Sequence, residues 1–147
     1  MNIYWSLKMG VDKERIVSLI GEIEKSLAIL NDFSSQQKKE FVTDLKALGS
    51  VKYYLMVAIE GCIDIANHII AKEHFGVPKT YSDCFRILQE RKIISKQLAN
   101  KLMNMAKFRN LLVHLYWNVN DEKIYEILQS ELEDFNEFIR QISVKIL

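Results

Sequence analysis

Residues 51–70, VKYYLMVAIEGCIDIANHII, decide the fold. Val51, Leu55, Ala58, Cys62, Ile65 and Ile69 recur at spacings of three and four, which stacks them on one face of an α-helix. Met56, Ile59, Ile63 and Ile70 widen that stripe to most of the circumference, and a helix apolar nearly all round belongs at the centre of a fold. Working outward, only Gly49 and Gly61 interrupt helical periodicity between Gln36 and Phe75, so the pattern predicts one long central helix over that stretch. Gly76-Val77-Pro78 ends it, because glycine suits a helix cap and proline cannot continue the hydrogen-bond ladder.

The flanks read the same way. Ile16, Ile20, Ile23, Leu27 and Leu30 define a first helix over 11–30, and residues 31–35 break it, with Ser34 and Gln37 placed as a capping box for the helix that follows. After the central helix, Thr80 with Asp83 opens a short helix over 81–92. Ser95 caps the next, whose inward positions are Leu98, Leu102, Met105, Phe108 and Leu112. Residues 117–120 form a turn, and Asp121 starts a last helix carrying Ile124, Leu128, Leu132, Phe135, Ile139, Ile142 and Ile146. No strand-like alternation interrupts this, so the expected class is an all-α bundle of five helices in one domain spanning 1–147.

Composition narrows the function. With 49% hydrophobic and 27% charged residues, one proline and five glycines, the chain is neither disordered nor low-complexity. Twenty Lys and Arg against nineteen Asp and Glu give a net charge of +1, which argues against coating nucleic acid through sheer charge but permits a local basic patch. Two cysteines, Cys62 and Cys84, are too few for a disulfide scaffold or a four-ligand zinc site, and both sit in apolar patterns as core residues of a reduced, intracellular chain. Residues 1–9 lack the features of a signal peptide, and no run reaches the roughly 18 consecutive apolar residues of a membrane span, so a soluble, cytoplasmic protein without membrane contact is expected. Lys38-Lys39 and Arg91-Lys92 are expected on solvated surface.

One residue violates its helix. Extending Leu98, Leu102 and Met105 puts Arg109 where a core side chain is due, with Leu112 and Tyr116 continuing the stripe. Such a guanidinium has to find a carboxylate, reach solvent, or line a cleft that accepts an anion. His114 lies five residues on, an offset of about 140° on an ideal helix, so convergence on one ligand calls for a loosened helix or for a second copy of the chain. Asn110, four residues before His114, is placed to orient the imidazole. On the central helix, Tyr53, Glu60, Asp64 and Asn67 fall within about 60° of one another with His68 beside them, a polar strip that faces solvent or lines a polar cleft. Glu60 and Asp64 are the acids placed to counter Arg109 or His114. No Glu-x-x-His pairs, phosphate-binding glycine loop, nucleophile elbow or zinc motif occurs, so no metal and no cofactor is expected.

Arg109-Asn110-Leu111-Leu112-Val113-His114-Leu115-Tyr116 reads as R-N-x-x-x-H-x-Y, and this string resembles the signature of the HEPN superfamily, specifically the HepT-type toxins encoded beside MNT nucleotidyltransferase antitoxins. Ala58–Glu60, Ile63–His68, Pro78–Ser82 and Val119–Glu122 resemble the same family, and the similarity runs from about residue 12, leaving residues 1–10 poorly matched. The resemblance implies a five-helix up-and-down bundle that pairs as a homodimer, with the motifs of both subunits lining one cleft. It implies the toxin of a type VII-like system: a metal-independent endoribonuclease acting on tRNA or mRNA through Arg109 and His114, with Asn110, Asp64 and Glu60 the supporting residues that helix geometry offers. It further implies that the partner nucleotidyltransferase silences the toxin by transferring AMP from ATP to Tyr116. The alternative is a HEPN helical module that binds nucleotide or a nucleotidyltransferase without cutting RNA.

Overall fold

The computed structural model describes residues 10–147, so the expectation that residues 1–9 hold no signal peptide lies outside the described residues. The elements are α1 (Lys13–Phe33), α2 (Lys38–Phe41), α3 (Leu45–Lys72), α4 (Tyr81–Glu90), α5 (Lys96–His114), a 3₁₀ turn (Tyr116–Asn118), α6 (Asp121–Ser130) and α7 (Glu133–Ile146). No strand occurs among the described residues, in keeping with the all-α class.

Seven α-helices stand among the described residues where periodicity predicts five, because two expected helices are each broken. The 36–75 stretch divides at Asp44, whose side chain accepts from the backbone N–H groups of Lys46 and Ala47 and so caps α3. The expected capping box does not form. Ser34 instead closes α1, its hydroxyl donating to the Asn31 carbonyl at 2.6 Å, and Gln37 precedes the single turn of α2 without a side-chain cap. The last helix divides at Glu131 and Leu132, between α6 and α7. The segment before α3 is pinned from across the fold: Tyr125 donates to the Gln36 carbonyl at 3.0 Å and Gln129 to that of Ser34 at 2.6 Å.

α3 is the axis. Its buried face includes Val51, Leu55, Ala58, Cys62, Ile65 and Ile69, the stripe read from sequence, and α1, α4, α5, α6 and α7 all pack on it. α1 and α3 make the most extensive pairing, and at Gly61 an added Cβ would lie 2.6 Å from Cγ1 of Ile23. Only glycine allows the two helices to meet so closely there. By length and composition α3 could cross a membrane, yet 56% of its apolar window is buried within the fold, as in the core helix of a bundle. Phe41, Phe85, Phe135 and Phe138 are fully buried around it. Cys62 and Cys84 are free and buried, and burial pushes both thiols up, Cys84 to about 12.

α3 ends before the predicted glycine and proline, at Lys72, through a backbone device. His74 takes a left-handed conformation (φ 56°), and Phe75 N–H reaches back to the Ile70 carbonyl at 3.0 Å. Residues 76–80 then run in an irregular path to α4, where the Thr80 side chain accepts from Asp83 N–H and caps the helix as expected. Ser95 likewise caps α5 through Leu98 N–H. The open connection between α3 and α4, set against the C-terminal end of α5, creates the groove described next.

Candidate active site

Leu98, Leu102, Met105, Phe108 and Leu112 are buried, which fixes the rotation of α5 and turns Arg109, Asn110, Val113 and His114 toward a groove of about 850 Å³. Its other walls are Asn67, Ile70 and Ala71 of α3 and the segment 76–81. α5 stays helical through His114, so loosening of the helix, one of the two routes to convergence, does not occur between Arg109 and His114. Arg109 and His114 nevertheless line one groove of a single chain, since the groove is wide and the arginine long. The 140° offset therefore does not by itself require a second subunit.

Arg109 is held from three sides. Its Nε and Nη2 donate to Oε1 of Glu60 at 3.1 and 2.8 Å, and its Nη1 donates to Oδ1 of Asn110 at 3.2 Å. The guanidinium carbon lies 4.7 Å from the centre of the Tyr81 ring. Its side chain is 16% exposed and that of Glu60 is 40% exposed, so the pair lies outside the core, with Arg109 lining the groove and Glu60 behind it. Of the accommodations open in the sequence, the arginine combines a carboxylate partner with a cleft.

The other candidate residues separate. Asn110 spends its carbonyl oxygen on Arg109 and makes no hydrogen bond to His114, contrary to the expected role of orienting the imidazole. His114 ends α5 exposed to solvent. Asp64, one turn beyond Glu60, is exposed and forms no ion pair with Arg109. Partial burial raises its carboxyl above the ordinary value, with neighbouring Glu60 adding to the rise and Arg15 opposing it. Asn67 reaches the groove, while Tyr53 is exposed and packs edge-on against Tyr54. His68 turns to α1, its Nε2 accepting from Asp12 N–H at 3.1 Å, and burial lowers its pKa. The polar strip is thus shared among groove, solvent and a helix start.

Tyr116 does not line the groove of the single chain. It sits half-buried in the 3₁₀ turn, edge-on to Trp117, with the Lys52 ammonium 4.7 Å from its ring centre. Sequence reasoning gave no role to Lys52 or Tyr81. Tyr81 stood in a quoted family flank, and Lys52 carried a usable signal: a lysine beside Val51 on a helix whose apolar face runs almost all round.

Residues 23–142 match the model of the family described as ribonuclease HepT-like. The chain belongs to that family. Among HepT-like relatives, the mRNA nuclease HepT of Shewanella oneidensis is 35% identical over 106 residues, covering 72% of this chain and 80% of that protein. The tRNA nuclease HepT of Aphanizomenon flos-aquae is 25% identical over 114 residues, 78% of this chain and 72% of that one. The solved structure of the tri-AMPylated HEPN toxin of Shewanella oneidensis in complex with its MNT antitoxin superposes with a TM-score of 0.82 at 31% identity, covering 88% of this chain and 97% of that one.

Proposed function

We propose that this chain is the toxin of a type VII-like HEPN/MNT pair, a cytoplasmic endoribonuclease cutting tRNA or mRNA, with Arg109 and His114 as catalytic residues and Tyr116 as the acceptor of AMP from a partner nucleotidyltransferase. The observation that carries this reading is that Arg109 and His114 line the same groove, with the guanidinium already oriented by Glu60, Asn110 and Tyr81. The chain acts as one HEPN-type domain and pairs as a homodimer, which doubles the arginine and the histidine along one strand of RNA.

The residue types fit internal transesterification. A neutral imidazole at His114 takes the proton of a ribose 2′-hydroxyl, the oxygen attacks the adjacent phosphorus, and the bond to the 5′-oxygen breaks to leave a 2′,3′-cyclic phosphate. The departing oxygen takes a proton from an imidazolium, a part that the second His114 of a dimer can play. The Arg109 guanidinium stabilises the extra negative charge of the phosphorane. The nucleophile belongs to the substrate, so neither metal nor cofactor enters this scheme.

Incubation of the purified protein with total tRNA and with mRNA, beside Arg109→Ala, tests the reading. Cleavage ending in cyclic phosphates, lost in the variant and unaffected by EDTA, is expected. RNA left intact by the unmodified dimer, or cut equally by Arg109→Ala, would contradict it and leave the non-cutting helical module as the account.

A further inference from the structure

Lys52 is the one charged side chain buried among the described residues, 7% exposed, and the nuclease scheme makes no use of it. Burying an ammonium is costly unless partners replace its water. Two of its three partners belong to one residue: Nζ donates to the backbone carbonyl of Tyr116 at 3.2 Å and lies 4.7 Å from the centre of the Tyr116 ring, while the Asp121 carboxylate is 3.7 Å away at the start of α6. A turn earlier on α3, Gly49 passes close to the phenol, since an added Cβ there would lie 3.8 Å from the Tyr116 hydroxyl. Hence α3 presents a cation under the ring and an unobstructed backbone beside the hydroxyl, while Trp117, 89% exposed, flanks the ring edge-on.

We propose that Lys52 is the positioning residue for modification of Tyr116, fixing the acceptor turn and ring through Nζ while Gly49 leaves room beside the hydroxyl. The proposal rests on the reading above that Tyr116 accepts AMP. In that transfer the Tyr116 oxygen attacks the α-phosphorus of ATP and the new O–P bond forms. The bond to the β-phosphate oxygen breaks, pyrophosphate leaves, and the phenolic proton passes to water. The product carries a phosphodiester anion attached to a tyrosine whose ring already lies over a lysine, so the same ammonium that orients the acceptor also lowers the electrostatic cost of the charge being added.

Binding and chemistry can be separated by measuring AMP incorporation over a range of ATP concentrations with the MNT-type nucleotidyltransferase, together with tRNA cleavage by the unmodified protein and its melting temperature. Lys52→Met keeps the length of the side chain and removes the charge. It is expected to lower kcat for AMP incorporation about tenfold or more with little change in KM for ATP, while cleavage stays within about twofold of the parent. Lys52→Arg should recover most of the incorporation. Gly49→Leu, a good helix former that places a branched chain beside the hydroxyl, should also lower incorporation and serves if Lys52→Met folds poorly. Parent-like incorporation in Lys52→Met, with none in Tyr116→Phe, would overturn the proposal and leave Tyr116 as acceptor. Parallel loss of incorporation, cleavage and melting temperature in both Lys52 variants would overturn it in favour of a purely structural lysine. Undiminished modification of Tyr116→Phe would instead remove the acceptor assignment on which it stands.

Discussion

Arg109 and Lys52 are both cations stacked on a tyrosine, each 4.7 Å from the ring centre, and the molecule uses the two arrangements in opposite senses. At Arg109 the tyrosine is the support: Tyr81, Glu60 and Asn110 hold a guanidinium whose side chain faces a groove of about 850 Å³. At Lys52 the cation is the support: the ammonium is buried and the ring it carries, Tyr116, lies at the surface beside an exposed tryptophan. A cation lining a groove suits an incoming phosphate, whereas a half-buried tyrosine in a turn beside an exposed tryptophan suits a modifying enzyme. On the proposed reading, cutting falls to one pair and control to the other.

The largest effects should come from the groove. Arg109→Ala and His114→Ala should each lower RNA cleavage by about 10²–10⁴-fold, measured in single-turnover assays with excess protein. Arg109→Lys should recover little, because an ammonium cannot reproduce the fork that engages Glu60 and Asn110 together. If either alanine variant cut RNA at the parent rate, the comparison would lose its catalytic side.

The buried pair should show up in stability. Lys52→Ala empties space under Tyr116 and strands the Asp121 carboxylate and the Tyr116 carbonyl, so a loss of about 1–3 kcal/mol is expected by denaturant unfolding. Unchanged stability would mean that the ammonium does not hold the turn.

Smaller effects separate the two acids of the polar strip. Glu60→Gln weakens the hold on Arg109 and should slow cleavage about three- to tenfold, while the partly exposed ion pair contributes under about 1 kcal/mol to stability. Asp64→Asn should leave cleavage unchanged and stability within about 0.5 kcal/mol of the parent at neutral pH. The sign of its pH effect is fixed by the raised carboxyl of the folded state. Native Asp64 holds its proton to higher pH than the unfolded chain, so its contribution favours folding at acid pH and falls away as pH rises through the raised value. The asparagine variant should lose that part of the slope, which lies just above the ordinary aspartate range, in unfolding curves. Equal losses of activity in both variants would return Asp64 to the catalytic support that the sequence proposed for it.

Much of this was legible in the sequence, for identifiable reasons. The α3 stripe was legible because apolar periodicity over many turns has few competing readings, and Arg109 stood out because a charge broke such a periodicity on α5. The break at Asp44 was not read, since the residues of 36–43 include good helix formers and no glycine or proline. A lone aspartate before a helix signals a cap only once the chain is seen to turn there. The break at Glu131 and Leu132 likewise lacks any breaker residue. The division of the polar strip was beyond periodicity altogether: Glu60 and Asp64 share a face of α3, and the position of α5 decides which of them meets the arginine. Lys52 escaped because its partners are a carbonyl and a ring 64 residues away in the chain.

The central claim is that cutting and control reside on different residues, and the paired behaviour of His114→Ala and Tyr116→Phe tests it most directly. Each variant is assayed for cleavage of its RNA and, by intact-mass spectrometry, for AMP added by the partner nucleotidyltransferase with ATP. The account predicts that Tyr116→Phe cuts RNA and gains no AMP, while His114→Ala gains AMP and cuts nothing. Loss of cleavage in a well-folded Tyr116→Phe, or AMP found on another residue such as Tyr53 or Tyr125, would contradict it.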